Sequence, residues 1–357
     1  MTTRERIDLL AGAYPRLFPR AGLIRLMRAQ LGGVDVLDGW VKRDGVRVRA
    51  KAPRSIYHIC AGNLAVSAWT SLAHGLLLGS ENTMKLPGDR EDATTRREIV
   101  GVIQGLPSNL RALVTTEREI QAETLGRAEA VIAFGSDATM ESLQARVRWD
   151  QKFIGHGHAL SLLWIGAPER LTSREARACA RDVLTYDQLG CLSPQAIYVP
   201  KGTEIESLGK KLAVALEAEW RSLARKPGRP LGVAARIAEA RDLAHALGHR
   251  VWLPDSRHLG WTLIGDPDAT FAPSPLHGVI TVRRVAESGM AAALAAVAGR
   301  ISTVGVAGEM SSRLEEVFLR LGVTRFCRAG HMQAPPLTWH HDGRAVLSDL
   351  ATWVDAE

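Results

Sequence analysis

Residues 55–63 read SIYHICAGN, residues 64–79 read LAVSAWTSLAHGLLLG and residues 82–87 read NTMKLP. The first and third are short apolar runs of strand length, and the second is a longer apolar stretch suited to a buried helix. Outward from this unit the alternation continues. A helix from Asp92, the run RALVTT, a helix from Arg118 and the run EAVIAF follow. After Gly135-Ser136-Asp137 comes a helical stretch to about Arg148, for which Ser136 or Asp137 is a suitable N-cap. Two short strands, KFIGHG and ALSLLWIG, come next. A second series then starts, with helices from Ser173, Glu204, Leu231, Glu287 and Glu309 and the strands AIYVP, RVWLP, GVITVRR and ISTVGVA. Strand–helix alternation of this kind predicts parallel sheets covered on both faces. In front lies a helix from Glu5 to Leu31, broken at Pro15 and Pro19, and a polar stretch ending at Pro53. Behind lies a tail from Gly330 to Glu357 that contains HMQAPPLTWHHDG and a short final helix.

With 357 residues and 46% hydrophobic content, the chain has enough apolar material for two α/β domains. Its four cysteines show no CxxC pair, so neither a zinc site nor a disulfide framework is suggested. The opening MTTRERIDLL lacks a secretory pattern, and a cytoplasmic location is expected. The run 64–79 carries Ser67, Ser71 and His74 and is shorter than the roughly 20 residues of a bilayer span, so no membrane span is expected. A formal charge of +7 suits anionic partners such as nucleotide phosphates, coenzyme A or an acidic carrier protein. The arginines are scattered and aromatics make up only 5%, which argues against a nucleic-acid surface.

Cys191 stands in YDQLGCLSPQAIYVP, between a helix end and a strand start. Irregular backbone at an element's edge is a common place for a catalytic group, and a small buried hydrophobe is the alternative. Cys60, Cys179 and Cys327 read as core. Asn63 follows a strand, and its amide is placed either to donate to an oxyanion or to cap the helix from Leu64. Gly135 and Ser136 at a strand-to-helix junction offer N–H groups to a phosphate. Lys85 sits where a dinucleotide fold reads the adenosine ribose, with Arg90 nearby to favour a 2′-phosphate; both are also ordinary surface charges. His340, His341 and Asp342 are consecutive and do not share a helix face, so no metal is expected. His156 and His158 are candidates for lowering the thiol pKa or for ordinary surface and core roles.

HICAGN with the following SLAHGLLLGSENTMKLP, DQLGCLSPQAIYVP and MQAPPLTWHHDG together resemble the fatty acyl-CoA reductases of the LuxC type, within the aldehyde dehydrogenase superfamily. The resemblance spans about residues 55 to 343. It implies an aldehyde dehydrogenase-like α/β fold, with two parallel-sheet domains and the active site in the cleft between them. It further implies a nicotinamide-cofactor domain over 1–156, a catalytic domain over 157–330 carrying Cys191, and a C-terminal return over 331–357. By position, Cys191 resembles the family's nucleophile, Asn63 its oxyanion-hole amide, Lys85 its adenosine-side lysine, and Gly135 with Ser136 its nicotinamide-nucleotide turn. The implied reaction is NADPH-dependent reduction of an acyl thioester, carried by coenzyme A or an acyl-carrier protein, to an aldehyde through a Cys191 thioester and thiohemiacetal. Two departures stand out. FIGHGHALS has no carboxylate where oxidising relatives place a water-activating Glu, which suits a reductive enzyme. The chain is also shorter than the luminescence enzymes, which leaves acyl-chain preference and homo-oligomer contacts open. The rival readings are a cofactor-independent cysteine acyltransferase or thioesterase, and a non-catalytic acyl-carrier-binding partner.

Overall fold

The computed structural model describes residues 1–88, 93–224, 228–256 and 258–357. The chain divides into two units: Met1–His158 with Pro336–Glu357, and Ala159–Pro335.

The first unit opens with two helices, α1 (Thr3–Ala13) and α2 (Arg20–Leu31). The Thr2 hydroxyl and Glu5 carboxylate cap α1 reciprocally, and α2 stops at Gly32 in the left-handed region. The polar stretch before Pro53 holds two strands, β1 (Val41–Arg43) and β2 (Val46–Lys51). Strand β2 reads VRVRAK, alternating apolar and charged residues with the apolar ones on the less exposed face, as a strand buried on one side does. Next come β3 (Ser55–Ile59), α3 (Ala65–Leu78), β4 (Glu81–Lys85), α4 (Ala93–Gln104), α5 (Ser108–Arg111) and β5 (Val114–Glu117). They are followed by α6 (Ala122–Arg127), β6 (Ala130–Phe134), α7 (Asp137–Gln144) and β7 (Lys152–His156). The five strands form a parallel sheet in the order β5-β4-β3-β6-β7. Its strands read as continuous apolar runs because alternate side chains enter different cores. Ile56, Ala130 and Ile132 face one, and Tyr57, Ile59, Val131 and Ala133 face the other.

KFIGHG and ALSLLWIG are neighbours in sequence yet belong to different sheets, so the boundary between the units falls between His158 and Ala159. The second unit runs β8 (Leu160–Ile165), α8 (Ser173–Leu184), β9 (Pro194–Pro200), α9 (Ile205–Ser222), α10 (Leu231–Ala246) and β10 (Arg250–Trp252). It continues with β11 (Thr262–Asp266), β12 (Val279–Val285), α11 (Met290–Ala293), β13 (Ile301–Ala307), α12 (Ser312–Arg320) and β14 (Arg325–Arg328). Its seven-stranded sheet has the order β10-β11-β12-β9-β8-β13-β14, parallel except for the edge strand β10. Strands β11 and β14 are not evident from composition, since WTLIGD and RFCR are short and carry charges at their ends. The expected helix from Glu287 is broken into single turns around α11. After Pro336 the chain returns to the first unit with α13 (Val346–Leu350) and β15 (Thr352–Ala356), and β15 pairs antiparallel with β2.

Candidate active site

In the first unit the candidate residues gather at the carboxyl ends of parallel strands, where open α/β sheets bind ligands. Asn63 follows β3, Lys85 ends β4, Gly135 and Ser136 follow β6, and His156 ends β7. Asn63 is exposed and does not cap α3. The N-cap is Leu64, and Asn63 Oδ1 accepts the Leu64 N–H at 3.0 Å. Ser136 caps α7, its hydroxyl accepting the Thr139 N–H at 3.2 Å. Asp137 Oδ1 accepts the His158 N–H at 2.8 Å, so this carboxylate is tied to the segment after β7. Lys85 is half-buried. Arg90 lies outside the described residues.

Behind this edge the sheet is braced by buried polar groups. His58 holds Ser71 Oγ at 2.7 Å and Asn82 Oδ1 at 2.9 Å. Because the Asn82 amide nitrogen donates to Ser80 O, its oxygen is the acceptor, so His58 Nε2 carries the proton and Nδ1 accepts from Ser71. Burial holds His58 down at about 4 and His74 at about 3, keeping both rings neutral.

The C-terminal return brings a carboxylate to the end of β7. Asp342, in the left-handed region at φ 51°, turns its carboxylate to His156 Nδ1 at 2.7 Å. A carboxylate therefore does stand at the end of β7, supplied from far along the chain. The rings of Phe134, His156, His341 and Trp339 form one continuous pile, with centroids 4.6, 4.2 and 4.6 Å apart. Burial, with His156 next, holds His341 down at about 4. The donor atoms of His156, His341 and Asp342 lie within 4.8 Å of one another. A zinc ion needs lone pairs converging about 2.0–2.1 Å from each nitrogen. Here the His156 and His341 rings stack at 4.2 Å, inclined by 25°, and the Asp342 carboxylate hydrogen-bonds His156 Nδ1. The group takes His341 and Asp342 from WHHDG and its third member, His156, from β7.

In the second unit Cys191 is exposed on a turn between α8 and β9. Its carbonyl accepts from Ser161 Oγ at 2.8 Å, and the turn closes through Ser193 N–H to Gly190 O at 2.9 Å. The residues leading to it are held in an unusual shape. Tyr186, Asp187 and Gln188 all have positive φ, at 56°, 55° and 63°. Each costs about 1–2 kcal/mol relative to right-handed backbone, so side chains must hold them there. Gln188 is 1% exposed. Its amide donates to Pro194 O at 2.8 Å and Val279 O at 3.1 Å, and its oxygen accepts the Gly278 N–H at 3.0 Å. Gln333, from MQAPP, donates to Ser193 Oγ at 2.8 Å and to Asp182 O. The Asp182 carboxylate accepts the backbone N–H groups of Gly330 and Met332, and burial pushes it up to about 6. Asp187, Gln188, Ser161, Asp182 and Gln333 were not singled out from the sequence, although DQ and MQ stand inside the quoted blocks.

The acyl-CoA reductase (LuxC) family profile matches residues 3–353. The chain belongs to the LuxC family of acyl-CoA reductases. Among its relatives, the long-chain acyl-protein thioester reductase of Aliivibrio fischeri is 23% identical over 354 residues, covering 96% of this chain and 72% of the relative. Long-chain acyl-protein thioester reductase 2 of Photobacterium leiognathi is 21% identical over 352 residues, with the same coverage. Of solved structures, the indole-3-acetaldehyde dehydrogenase AldA of P. syringae superposes on all of the chain and 84% of its own length, with a TM-score of 0.72 at 10% identity. A lactaldehyde dehydrogenase gives a TM-score of 0.67 at 13% identity, over 100% and 87%. This LuxC-family reductase therefore has the aldehyde dehydrogenase fold, and an acyl thioester reductase of that fold works with a nicotinamide cofactor. Among its described residues no helix is long and apolar enough to cross a membrane.

Proposed function

We propose that this chain reduces an acyl thioester of coenzyme A or an acyl-carrier protein to an aldehyde, with NADPH as cofactor and Cys191 as nucleophile. The observation that carries this reading is an exposed Cys191 on a turn held through the Cys191 carbonyl and the Ser193 hydroxyl, in a chain of the acyl-CoA reductase family. On this reading residues 1–156 bind cofactor, residues 157–330 carry the chemistry, and residues 331–357 return to the first unit. The donor groups at the carboxyl edge of the first sheet suit a dinucleotide. Backbone N–H groups after Gly135 and the positive end of α7 fit a phosphate, and Lys85 fits a ribose or its phosphate. When bound, the cofactor supplies a hydride.

The Cys191 thiolate attacks the acyl carbonyl and the carrier thiol leaves, taking up the proton that the Cys191 thiol gave up. Asn63 and the Cys191 N–H are the proposed donors to the oxyanion, and the acyl group remains as a thioester on sulfur. Once the acyl carbon has gained hydride, the thiohemiacetal on Cys191 expels the aldehyde and returns the thiolate, which a solvent proton restores. The test is NADPH oxidation with acyl-CoAs from acetyl to palmitoyl and with acyl-carrier protein, beside Cys191→Ala and with NADH in parallel. Thioester-dependent oxidation lost in Cys191→Ala supports the reading. Full activity in that variant overturns it, and equal turnover with NADH removes the NADPH preference.

A further inference from the structure

We propose that Asp187, bridging Arg229 and His277, is a positioning residue that sets the Cys191 turn for attack on the thioester. The proposal rests on Cys191 being the nucleophile. Asp187 takes a bidentate pair from Arg229, at 2.9 and 3.0 Å, and the His277 Nδ1 at 2.5 Å. All three side chains are close to nine-tenths buried, at 12–13% exposure. Arg229 spends its remaining donors on Leu259 O, Gly228 O and His277 O, and its guanidinium lies 5.6 Å from the Trp220 ring centroid. Every one of these contacts lies within the second unit.

What the cluster joins is two facing left-handed segments. Tyr186, Asp187 and Gln188 form one, and Leu276, His277 and Gly278, at φ 66°, 56° and 82°, form the other. The neighbouring Gln188 stitches the same segments through Gly278 N–H and Val279 O. The first segment then runs by way of the Leu189 N–H to Tyr186 O bond at 3.0 Å straight into the Gly190–Ser193 turn that carries Cys191. A bidentate guanidinium–carboxylate pair fixes orientation as well as distance, which a single contact does not. A stability role alone needs no such pair at the one place where the chain enters the thiol's turn in left-handed backbone.

The experiment compares Asp187→Ala, Asp187→Asn and Arg229→Met with the parent in NADPH oxidation, and reads kcat and KM separately. Arg283→Met is the stability control, because Arg283 is buried in the same unit but pairs with Asp266 and the Asp268 carbonyl. A displacement of about 1 Å at the nucleophile is enough to lower kcat by about 10²-fold, and that loss is expected for Asp187→Ala and Arg229→Met with KM within about threefold of the parent. Asp187→Asn, which keeps one acceptor, is expected to fall between them and the parent. Arg283→Met should lose thermal stability at parental kcat. If Asp187→Ala and Arg229→Met, folded by near-ultraviolet circular dichroism, turn over like the parent, positioning by Asp187 is refuted. The same holds if Arg283→Met loses kcat equally. Activity surviving in Cys191→Ala would instead remove the nucleophile itself, a separate failure.

Discussion

Replacing Gln188 by Glu changes the side chain's shape hardly at all and its hydrogen-bonding character completely. The amide nitrogen that donates to Pro194 O and Val279 O becomes an oxygen facing two carbonyl oxygens at 2.8 and 3.1 Å. An ionised Glu in that site, 1% exposed, is opposed on both sides, so the folded chain keeps the group protonated. Holding a carboxyl of ordinary pKa about 4.3 neutral near pH 7.5 costs about 4 kcal/mol. The protonated form has one donor for two carbonyls, which adds about 1 kcal/mol. The expected deficit is therefore about 5 kcal/mol near pH 7.5. Its sign with pH follows from the raised folded-state pKa: the folded chain binds a proton that the unfolded chain does not, so the deficit shrinks as pH falls. Near pH 5.5 it should be about 3 kcal/mol. Gln188→Ala, which loses the same bonds without a titrating group, should show a deficit independent of pH over this range. Urea unfolding at both pH values, with peptide-resolved hydrogen exchange over β9 and β12, measures each quantity. A Glu variant within about 1 kcal/mol of the parent, or one whose deficit does not shrink in acid, would refute the assigned hydrogen bonds.

Alkylation should mark Cys191 first in the native protein, because Cys191 is exposed, whereas burial pushes Cys60 up to about 12, Cys327 to about 11 and Cys179 higher still. Mass mapping that finds Cys60 or Cys179 labelled as fast would contradict this. The first unit should be acid-labile. His58 and His74 have folded-state values of about 4 and 3, below the ordinary value, so the unfolded chain takes up protons first and stability falls as pH drops below about 6.5. Near pH 5 the two together cost about 4 kcal/mol, and His74→Gln should recover about half of the pH dependence in hydrogen exchange of α3. Gly75→Ala places a Cβ 1.8 Å from Asn82 Oδ1 and 3.3 Å from His58 Nε2. It should break that pair, costing about 2–4 kcal/mol in thermal unfolding, and an unchanged Tm would show that Asn82 moves freely aside.

The strand–helix alternation, and with it an α/β fold with two parallel sheets, was legible in SIYHI, EAVIAF, LSLLWI and ISTVGVA, because parallel strands buried on both faces are predominantly apolar. Cys191 and the strand-end residues Asn63, Lys85, Gly135 and Ser136 were legible as candidates from their place beside those runs. What surrounds them was not. The small sheet β1-β2-β15 joins residues from both ends of the chain, and although VRVRAK alternates, nothing in it names its partner β15. Asp342 reaches His156 across 186 positions, and His277 reaches Asp187 across 90. Such pairings leave no local trace, because a hydrogen bond is specified by where two backbones meet in space. Periodicity follows from burial of each element separately and survives in the sequence, whereas the geometry around Cys191 is set by left-handed turns that only packing between distant segments can hold in place.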